Sequence, residues 1–405
     1  MIRIGILGHG FIDWGGGIDF LRTVVSSLHH SGEAVEIHAL VPTRGPRLTA
    51  LHALRHTYRT AKAVLKRSGA VPQRPDGRHL ADLADSTEQL LNIHEIDIGR
   101  RAIASAARKL SLDVILPAFS ALPPDFPTPW VGYVYDFQHR YLPQLFSPAD
   151  RSLRDRHFAA MLGSARAVIV NARAVASDIA LFHPGAPAKV FALPFSAAPH
   201  AGWLAPSESP AAKFGITGPY FIVCNQFWIH KDHATAFAAF AKIAADHPSL
   251  HLVCTGATDD YRNPGYFPGL QRGLASNGIA DRVHILGMVS KADQIALLKG
   301  SIAMIQPTLF EGGPGGGAAF DAVSLGVRCL VSDIAVNREL IEPGVEFFPP
   351  GDAAALADLL ASAALQQDPG RASSEDLLRL GQRRRAASGE RMLEAIEWAR
   401  AGHSQ

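Results

Sequence analysis

The chain has 405 residues, of which 47% are hydrophobic and 19% are charged. This length exceeds one ordinary domain, and the apolar content is sufficient for two hydrophobic cores, which excludes an intrinsically disordered protein. The net charge of +2 indicates no overall attraction to nucleic acid. We therefore expect a two-domain globular protein without a nucleic-acid partner.

The cysteines and apolar segments indicate a compartment. Cys224, Cys254 and Cys329 each lie in a short apolar run without CxxC spacing, so we expect reduced core residues. The apolar start, residues 1–8, is too short and too quickly followed by glycine for a signal peptide, and no apolar run reaches membrane-spanning length. These features predict a cytoplasmic protein.

Short β-rich runs alternate with amphipathic helical stretches through both halves of the chain. Because this alternation is typical of parallel sheets covered by helices, we predict an α/β fold with two such units. The first unit extends from residue 2 to about 193, and its predicted strands include 113–116, 130–135 and 167–170.

A segment rich in Pro and Gly, residues 195–219, separates the two units and precedes a new strand at Tyr220. A helical tail is predicted from about 374 to 401. Further strands of the second unit are predicted at 251–254, 283–286, 303–305 and 329–331. The predicted domains are an N-terminal domain at 1–198, a C-terminal domain at 199–372 and the helical tail at 373–405.

The first strand leads into a glycine turn that opens a helix. Gly16 and Gly17 lack a Cβ atom, so the backbone there can approach a phosphate or a sugar. The pattern Gly-x-Gly at residues 8–10 imitates a dinucleotide-binding fingerprint, but Asp13 occupies the third glycine position and would repel a pyrophosphate. This argues against nicotinamide binding, and a purely structural turn is the other interpretation.

A basic segment lies between Arg44 and Arg78, where nine Lys and Arg residues accompany one acidic residue. On a helix over 47–67, four of these residues would form a narrow stripe beside an apolar face. Such a helix suits peripheral contact with an anionic membrane, and the alternative is a solvated amphipathic helix packed on the sheet. The stripe consists of Arg55, Arg59, Lys62 and Lys66.

Two polar residues, Asp136 and His139, follow the strand predicted at 130–135. Open α/β sheets bind ligands at the carboxyl ends of their strands, so either side chain could hydrogen-bond a donor sugar or an acceptor hydroxyl. A lone histidine is more often a structural hydrogen-bonding residue, and the chain has 18 histidines. The sequence leaves both roles of His139 open.

The loop after the strand at Tyr220 combines amide groups with a cation. Asn225 and Gln226 supply neutral hydrogen-bonding groups, and Lys231 can offset the charge on a departing diphosphate unless it is a solvated surface residue. No DxD pair, HExxH motif or clustered Cys/His spacing occurs in the sequence, so no metal site is predicted. Lysine and helix N-termini would then neutralise the diphosphate.

A glycine-rich segment follows the short apolar run 301–306, which has the length of a buried strand. Glu311 therefore lies just past the carboxyl end of a strand. Gly315, Gly316 and Gly317 let the backbone and the first N–H groups of the next helix approach a ligand. A carboxylate beside a phosphate cradle suits a sugar diphosphate, and a glycine-rich surface turn is the alternative.

These residues resemble the retaining GT-B glycosyltransferases of family 4, the glycosyl transferases group 1. The family pattern EGxGxxxxEAxxxGxPVxxSD is similar to this chain at Glu311-Gly312, Asp321-Ala322, Gly326 and Ser332-Asp333. Asp replaces the second Glu, and two extra residues lie between the acids. The resemblance implies that Glu311 contacts the donor sugar, Asp321 binds the nucleotide ribose and Lys231 binds the diphosphate. Asn225 or Gln226 stands where the family has an Arg.

In the N-terminal half, the glycine turn at 15–17 is similar to the family's glycine loop over the diphosphate. Tyr135-Asp136 occupies the place of its His-Asp pair, and His139 is the candidate to substitute for that histidine. The resemblance also implies two Rossmann-like parallel-sheet domains facing a cleft, with the C-terminal helix crossing back to the N-terminal domain.

The function implied by this resemblance is transfer of a sugar from a nucleotide-diphosphate sugar to a saccharide or lipid-linked saccharide acceptor, with retention at the anomeric carbon. No metal and no cofactor is expected. Related folds also contain sugar-nucleotide epimerases, which is the enzymatic alternative. Because the Arg is missing and the acidic pair is altered, a non-catalytic sugar-nucleotide-binding partner of an active transferase is a second alternative.

Overall fold

A computed structural model describes residues 1–12, 15–42, 90–205, 211–260, 262–366 and 372–402. Its internal contacts divide the described chain into two units. Unit 1 contains the residues up to Ser196 together with those from Gln382 onward, and unit 2 contains Ala197–Gly381. The basic segment predicted as a membrane-binding helix, 47–67, lies outside the described residues.

The sheet of unit 1 is parallel. Within the described residues it contains the strands β1 (Ile2–Leu7), β2 (Val35–Pro42), β3 (Asn92–Ile96), β4 (Val114–Ala118), β5 (Trp130–Tyr133), β6 (Ala167–Val170) and β7 (Lys189–Ala192). Their order across the sheet is β3-β2-β1-β4-β5-β6-β7. Ile4 of β1 pairs with Ile37 on one side and Val114 on the other. The central strands β4, β5 and β6 are buried along their whole length, as expected where a parallel sheet is covered on both faces.

Helices cover this sheet and complete its core. They are α1 (Gly15–His29), α2 (Arg100–Lys109), the single turn α3 (Gln138–Tyr141), α4 (Pro148–Ser164) and α5 (Arg173–Phe182). In α1 the buried residues Ile18, Leu21, Val25 and Leu28 recur every three or four positions and therefore share one face. This face packs in one cluster with Ile4 and the other inward residues of the sheet.

Unit 2 repeats the same architecture. Its described strands are β8 (Tyr220–Cys224), β9 (His251–Thr255), β10 (Val283–Ile285), β11 (Met304–Gln306), β12 (Cys329–Ser332) and β13 (Val345–Phe348), parallel and in the order β10-β9-β8-β11-β12-β13. Its described helices are α6 (Ala201–Leu204), α7 (His233–Ile243), α8 (Tyr266–Ser276), α9 (Lys291–Gly300), α10 (Gly316–Ser324) and α11 (Ala353–Leu365). Phe221, Phe240 and Leu356 are fully buried in its core.

In each sheet the strand order reverses next to the first strand of the unit, between β1 and β4 and between β8 and β11. Open α/β sheets bind ligands outside the carboxyl ends of the strands at such a switch point. In unit 2 this position is occupied by the loops after Cys224 and Gln306, which carry the predicted site residues.

The C-terminal helix α12 (Ser374–Ala401) begins in unit 2 and belongs to unit 1 from Gln382 onward. Met392 and Ile396 are fully buried in the core cluster of unit 1. The prediction of a C-terminal helix that returns to the N-terminal domain is therefore confirmed. No helix among the described residues is both long enough and apolar enough to cross a membrane.

Gly389 of α12 contacts α1 so closely that a Cβ atom would lie 2.1 Å from the carbonyl oxygen of Ser27. We expect Gly389→Ala to lower the free energy of unfolding by about 1–3 kcal/mol, because the added atom forces packed groups apart. As a matched control, Gly163→Ala in α4 adds a Cβ with nothing within 4 Å. It should raise that free energy by about 0.5–1 kcal/mol. Urea unfolding measures both changes, and equal stability of Gly389→Ala and wild type would contradict this close packing.

Candidate functional site

The carboxylate of Glu311 is the centre of a polar cluster at the carboxyl edge of the unit 2 sheet. The Lys231 ammonium forms an ion pair with Oε1 of Glu311, and Nε2 of Gln306 donates a 2.8 Å hydrogen bond to the same oxygen. The side chains of Glu311 and Lys231 are only 9% and 14% exposed. A charge at this depth is costly without partners, and these contacts supply both a counter-charge and a hydrogen-bond donor. The fold thus brings together two predicted site residues that are 80 positions apart.

Gln306 and Asn225 support Glu311 from the ends of two neighbouring strands. Gln306 is the last residue of β11 and is fully buried, and Asn225 directly follows β8. Nδ2 of Asn225 donates to Oε1 of Gln306 at 2.5 Å, while Nε2 of Gln306 donates to Glu311. Because both ends of the amide are bonded, Gln306 orients the carboxylate. The sequence prediction missed Gln306, although a polar residue that ends an apolar strand is a signal for such a role.

Asn225, and not Gln226, is the amide that the fold brings into this cluster. The side chain of Gln226 is exposed, and its backbone carbonyl accepts a 2.7 Å hydrogen bond from the N–H of Trp228. The loop after β9 contacts the backbone of Asn225 closely at Gly256, which has a φ of +126°. A Cβ atom on Gly256 would lie 2.2 Å from the carbonyl oxygen of Asn225. Glycine is therefore required at this position.

The start of α10 is placed directly against Glu311. Gly315 and Gly316 have φ of +66° and +60°, and a Cβ on Gly316 would lie 2.9 Å from Oε2 of Glu311. The N–H of Gly315 donates to Oδ1 of the buried Asn337 at 2.8 Å, which fixes the turn. Gly317 is exposed, and a Cβ there would have nothing within 4 Å. The first turn of α10 is thus open to an anionic ligand beside the carboxylate.

A second ion pair lies further along α10. Oδ2 of Asp321 accepts from the Lys291 ammonium at 2.5 Å and from Nε2 of Gln294 at 3.2 Å. The sequence prediction identified Asp321 but did not identify Lys291 or Gln294. Lys291 and Gln294 lie one turn apart at the start of α9, and no local pattern links them to Asp321 on α10.

Two buried histidines flank Lys231 in the chain. Burial, together with a smaller effect of the neighbouring Lys231 charge, lowers the pKa of His230 to about 2 and that of His233 to about 3. Burial also raises the pKa of the Cys224 thiol to about 12. At neutral pH both imidazoles are uncharged and the thiol is protonated, so none of these groups contributes charge to the cluster.

In unit 1 the predicted residue Asp136 lies after β5 and is partly exposed. Its Oδ1 accepts from the backbone N–H of Gln138 at 2.9 Å and from Nη1 of Arg154 at 3.1 Å. The Arg154 guanidinium also lies 5.2 Å and 4.8 Å from the ring centroids of Tyr135 and Phe146. Arg154, which the sequence prediction missed, is thus held by cation–π contacts and an ion pair.

His139 is buried, unlike Asp136. Its Nε2 is 2.8 Å from Oδ1 of Asp155, and its ring packs near Phe137 and Phe158. Burial lowers the pKa of His139, although the hydrogen bond to Asp155 opposes this shift. These contacts favour the structural role over direct contact with a substrate.

The glycine turn of unit 1 opens α1 at Gly15, with Gly16 exposed and Gly17 buried. Among the residues that the structure describes, no three His, Cys, Asp or Glu side chains are grouped so as to hold a metal ion.

Comparisons with known proteins agree with this architecture. Residues 208–383 match the family model described as glycosyl transferases group 1. Sucrose-phosphate synthase from Thermosynechococcus elongatus is similar in structure, with 15% identity, a TM-score of 0.61 and coverage of 98% of this chain and 97% of that one. HepE from Anabaena, solved in complex with UDP and glucose, has 14% identity, a TM-score of 0.64 and coverage of 98% and 100%. A glycosyltransferase from Rickettsia africae has 12% identity, a TM-score of 0.63 and coverage of 98% of both chains.

Comparison with curated protein sequences gives no match. At the identities above, structural likeness establishes the fold. The predicted GT-B fold and the resemblance to the glycosyl transferases group 1 are therefore confirmed, the latter by the match over 208–383.

The buried histidines predict acid sensitivity. Below the ordinary histidine pKa of 6.5, the unfolded chain binds protons that His230 and His233 exclude in the folded state, so the free energy of unfolding should fall as pH falls toward about 3. Each such group contributes a slope of up to about 1.4 kcal/mol per pH unit. His233→Phe, which keeps the stacking on Phe227, should reduce this slope, as measured by urea unfolding between pH 7.5 and pH 4.5. Parallel pH profiles for the variant and wild type would refute the assignment.

Proposed function

We propose that this protein transfers a sugar from a nucleotide-diphosphate sugar to a saccharide or lipid-linked saccharide acceptor, with retention at the anomeric carbon and without metal or cofactor. The observation that carries the proposal is the contact geometry of Glu311, held between Lys231, Gln306 and the first turn of α10. The likeness to HepE, which was solved with UDP and glucose, supports a nucleotide-sugar donor.

In the proposed reaction, Lys231 and the start of α10 stabilise the negative charge that develops on the leaving diphosphate. The exposed backbone at Gly317 lets a phosphate reach the positive end of the helix dipole. Lys231 is paired with Glu311 in the described structure, so a diphosphate would share its ammonium with that carboxylate. These groups are already oriented, which makes their electrostatic stabilisation effective.

Glu311 orients the hydroxyl groups of the donor sugar while the ring becomes oxocarbenium-like. Its carboxylate is fixed by Gln306, and Gln306 is fixed by Asn225, so little reorganisation is needed during the reaction. No side-chain nucleophile is required if the leaving phosphate accepts the proton of the acceptor hydroxyl. Asp321 binds the ribose.

For unit 1, we propose that the backbone at Gly16 and Gly17 approaches the diphosphate and that Asp136 contacts a sugar. His139 then has a structural role, since its ring is buried and its Nε2 is hydrogen-bonded to Asp155. Contact with an anionic membrane through 47–67 would bring the enzyme to a lipid-linked acceptor.

Removing the charge of Glu311 tests the catalytic proposal. We expect Glu311→Gln to reduce turnover by about ten- to a hundredfold, because a hydrogen bond to a charged group contributes about 1.5–3 kcal/mol. Its affinity for the nucleoside diphosphate should change by less than about threefold, since Lys231 is retained. Asp259→Asn, at an exposed residue, is the control. Turnover of Glu311→Gln equal to that of wild type would remove Glu311 from the site.

A second experiment tests whether Lys231, and not a metal ion, supplies the positive charge that faces the diphosphate. Lys231→Ala should weaken binding of the nucleoside diphosphate product about tenfold or more, because it removes a charged donor. Lys242→Ala, at an exposed lysine, should bind the nucleoside diphosphate with wild-type affinity. The activity of the wild-type protein should be unaffected by EDTA. Loss of activity in EDTA that Mg²⁺ or Mn²⁺ restores would refute the metal-independent mechanism.

A further inference from the structure

The ion pair between Lys291 and Asp321 joins the first residue of α9 to the middle of α10. Lys291 is the first residue of α9, and Gln294 follows one turn later. Both donate to the same carboxylate oxygen of Asp321, at 2.5 Å and 3.2 Å. The Lys291 ammonium also lies 5.3 Å from the centroid of the Trp203 ring, which is partly exposed. The cation is therefore held by a carboxylate and by an aromatic face.

The two partners of this ion pair differ in exposure. The side chain of Asp321 is 9% exposed, whereas that of Lys291 is 45% exposed. The ammonium therefore lies on the solvent side of the carboxylate, where a ligand of Asp321 would arrive. An ion pair with so exposed a partner contributes only about 0–1 kcal/mol to stability, so stability alone gives little reason for Lys291. An ammonium has three N–H donors, which is enough to contact a ligand oxygen while Asp321 is bound.

The position of Asp321 along α10 indicates which part of a nucleotide sugar would meet Lys291. The first residue of the helix, Gly316, contacts Glu311, and Asp321 follows five residues later. With a rise of 1.5 Å per residue, that separation is roughly 7–8 Å along the helix axis. A diphosphate at the first turn would therefore place its nucleoside near Asp321 and Lys291. Lys291 begins the helix that follows β10, and α10 follows β11, so the pair lies at the carboxyl edge of the same sheet.

We propose that Lys291 is a donor-binding residue that contacts an oxygen of the nucleoside, while Lys231 contacts the diphosphate. This inference rests on the proposed function. It divides donor recognition between two lysines, each paired with a carboxylate in the described structure.

Calorimetric titration with matched nucleotides tests this division. Each matched pair of nucleotides has the same nucleoside and differs by one phosphate: UMP and UDP, GMP and GDP, or dTMP and dTDP. The experiment uses the pair that the wild-type protein binds most tightly. Lys291→Ala should weaken binding of the monophosphate and the diphosphate by the same factor, about tenfold. Lys231→Ala should weaken binding of the diphosphate more than binding of the monophosphate. Lys213→Ala, at an exposed lysine that pairs with Asp293 on the same helix α9, should change neither.

A double-variant comparison distinguishes direct contact between Lys291 and the nucleotide from an indirect effect in which Lys291 only orients Asp321. If Lys291 touches the nucleotide, Lys291→Ala should weaken binding further in an Asp321→Asn background. If Lys291 acts only by orienting the carboxylate, the double variant should bind as Asp321→Asn does, which would overturn direct contact. Thermal unfolding of each variant should match wild type within a few degrees, so that changes in affinity are measured on folded protein.

Three other results of the nucleotide titrations would each contradict the proposal in a different way. Wild-type affinity of Lys291→Ala for both nucleotides would overturn the proposal and make the ion pair purely structural. A loss that appears only with the diphosphate would also overturn it, because Lys291 would then contact phosphate. If wild type binds no nucleotide in any series, the proposed function fails, and this inference fails with it.

Discussion

The buried ion pair between Glu311 and Lys231 is the constraint on which the carboxyl edge of unit 2 depends. The Glu311 carboxylate is almost completely buried, and a buried charge is stable only with a counter-charge and hydrogen-bond donors around it. Lys231 supplies the counter-charge and Gln306 supplies a donor, so the loops after β8 and β11 are tied to one group. The same carboxylate excludes any side chain at Gly316 and so determines how α10 begins.

The two acidic residues of this edge are each paired with a lysine, Glu311 with Lys231 and Asp321 with Lys291. In each pair the carboxylate is the more buried partner, and the difference is much larger for the second pair. The ion pairs keep each carboxylate neutralised without a ligand. A ligand that reaches this edge would therefore meet two ammonium groups that are already in position.

In unit 1, tertiary contacts leave one of two neighbouring polar residues partly exposed and bury the other. Asp136 and His139 are three positions apart, yet the first is partly exposed beside Arg154 and the second is enclosed and bonded to Asp155. The partners come from α4, well downstream in the chain. No local pattern around His139 encodes that burial, and so its structural and ligand-binding roles could not be separated from the sequence.

From local periodicity and glycine placement, the sequence by itself determined the two parallel-sheet units, many of their strands, a C-terminal helix and the place of Glu311 and Lys231 after strand ends. The return of α12 to unit 1 was implied only by the family resemblance. Only the tertiary structure decided which side chains touch. Gln306 joins Asn225 to Glu311, and Lys291 reaches Asp321, across 30 to 81 positions of chain. Such contacts depend on strand order and helix packing, which bring distant residues to one sheet edge and which no short segment specifies.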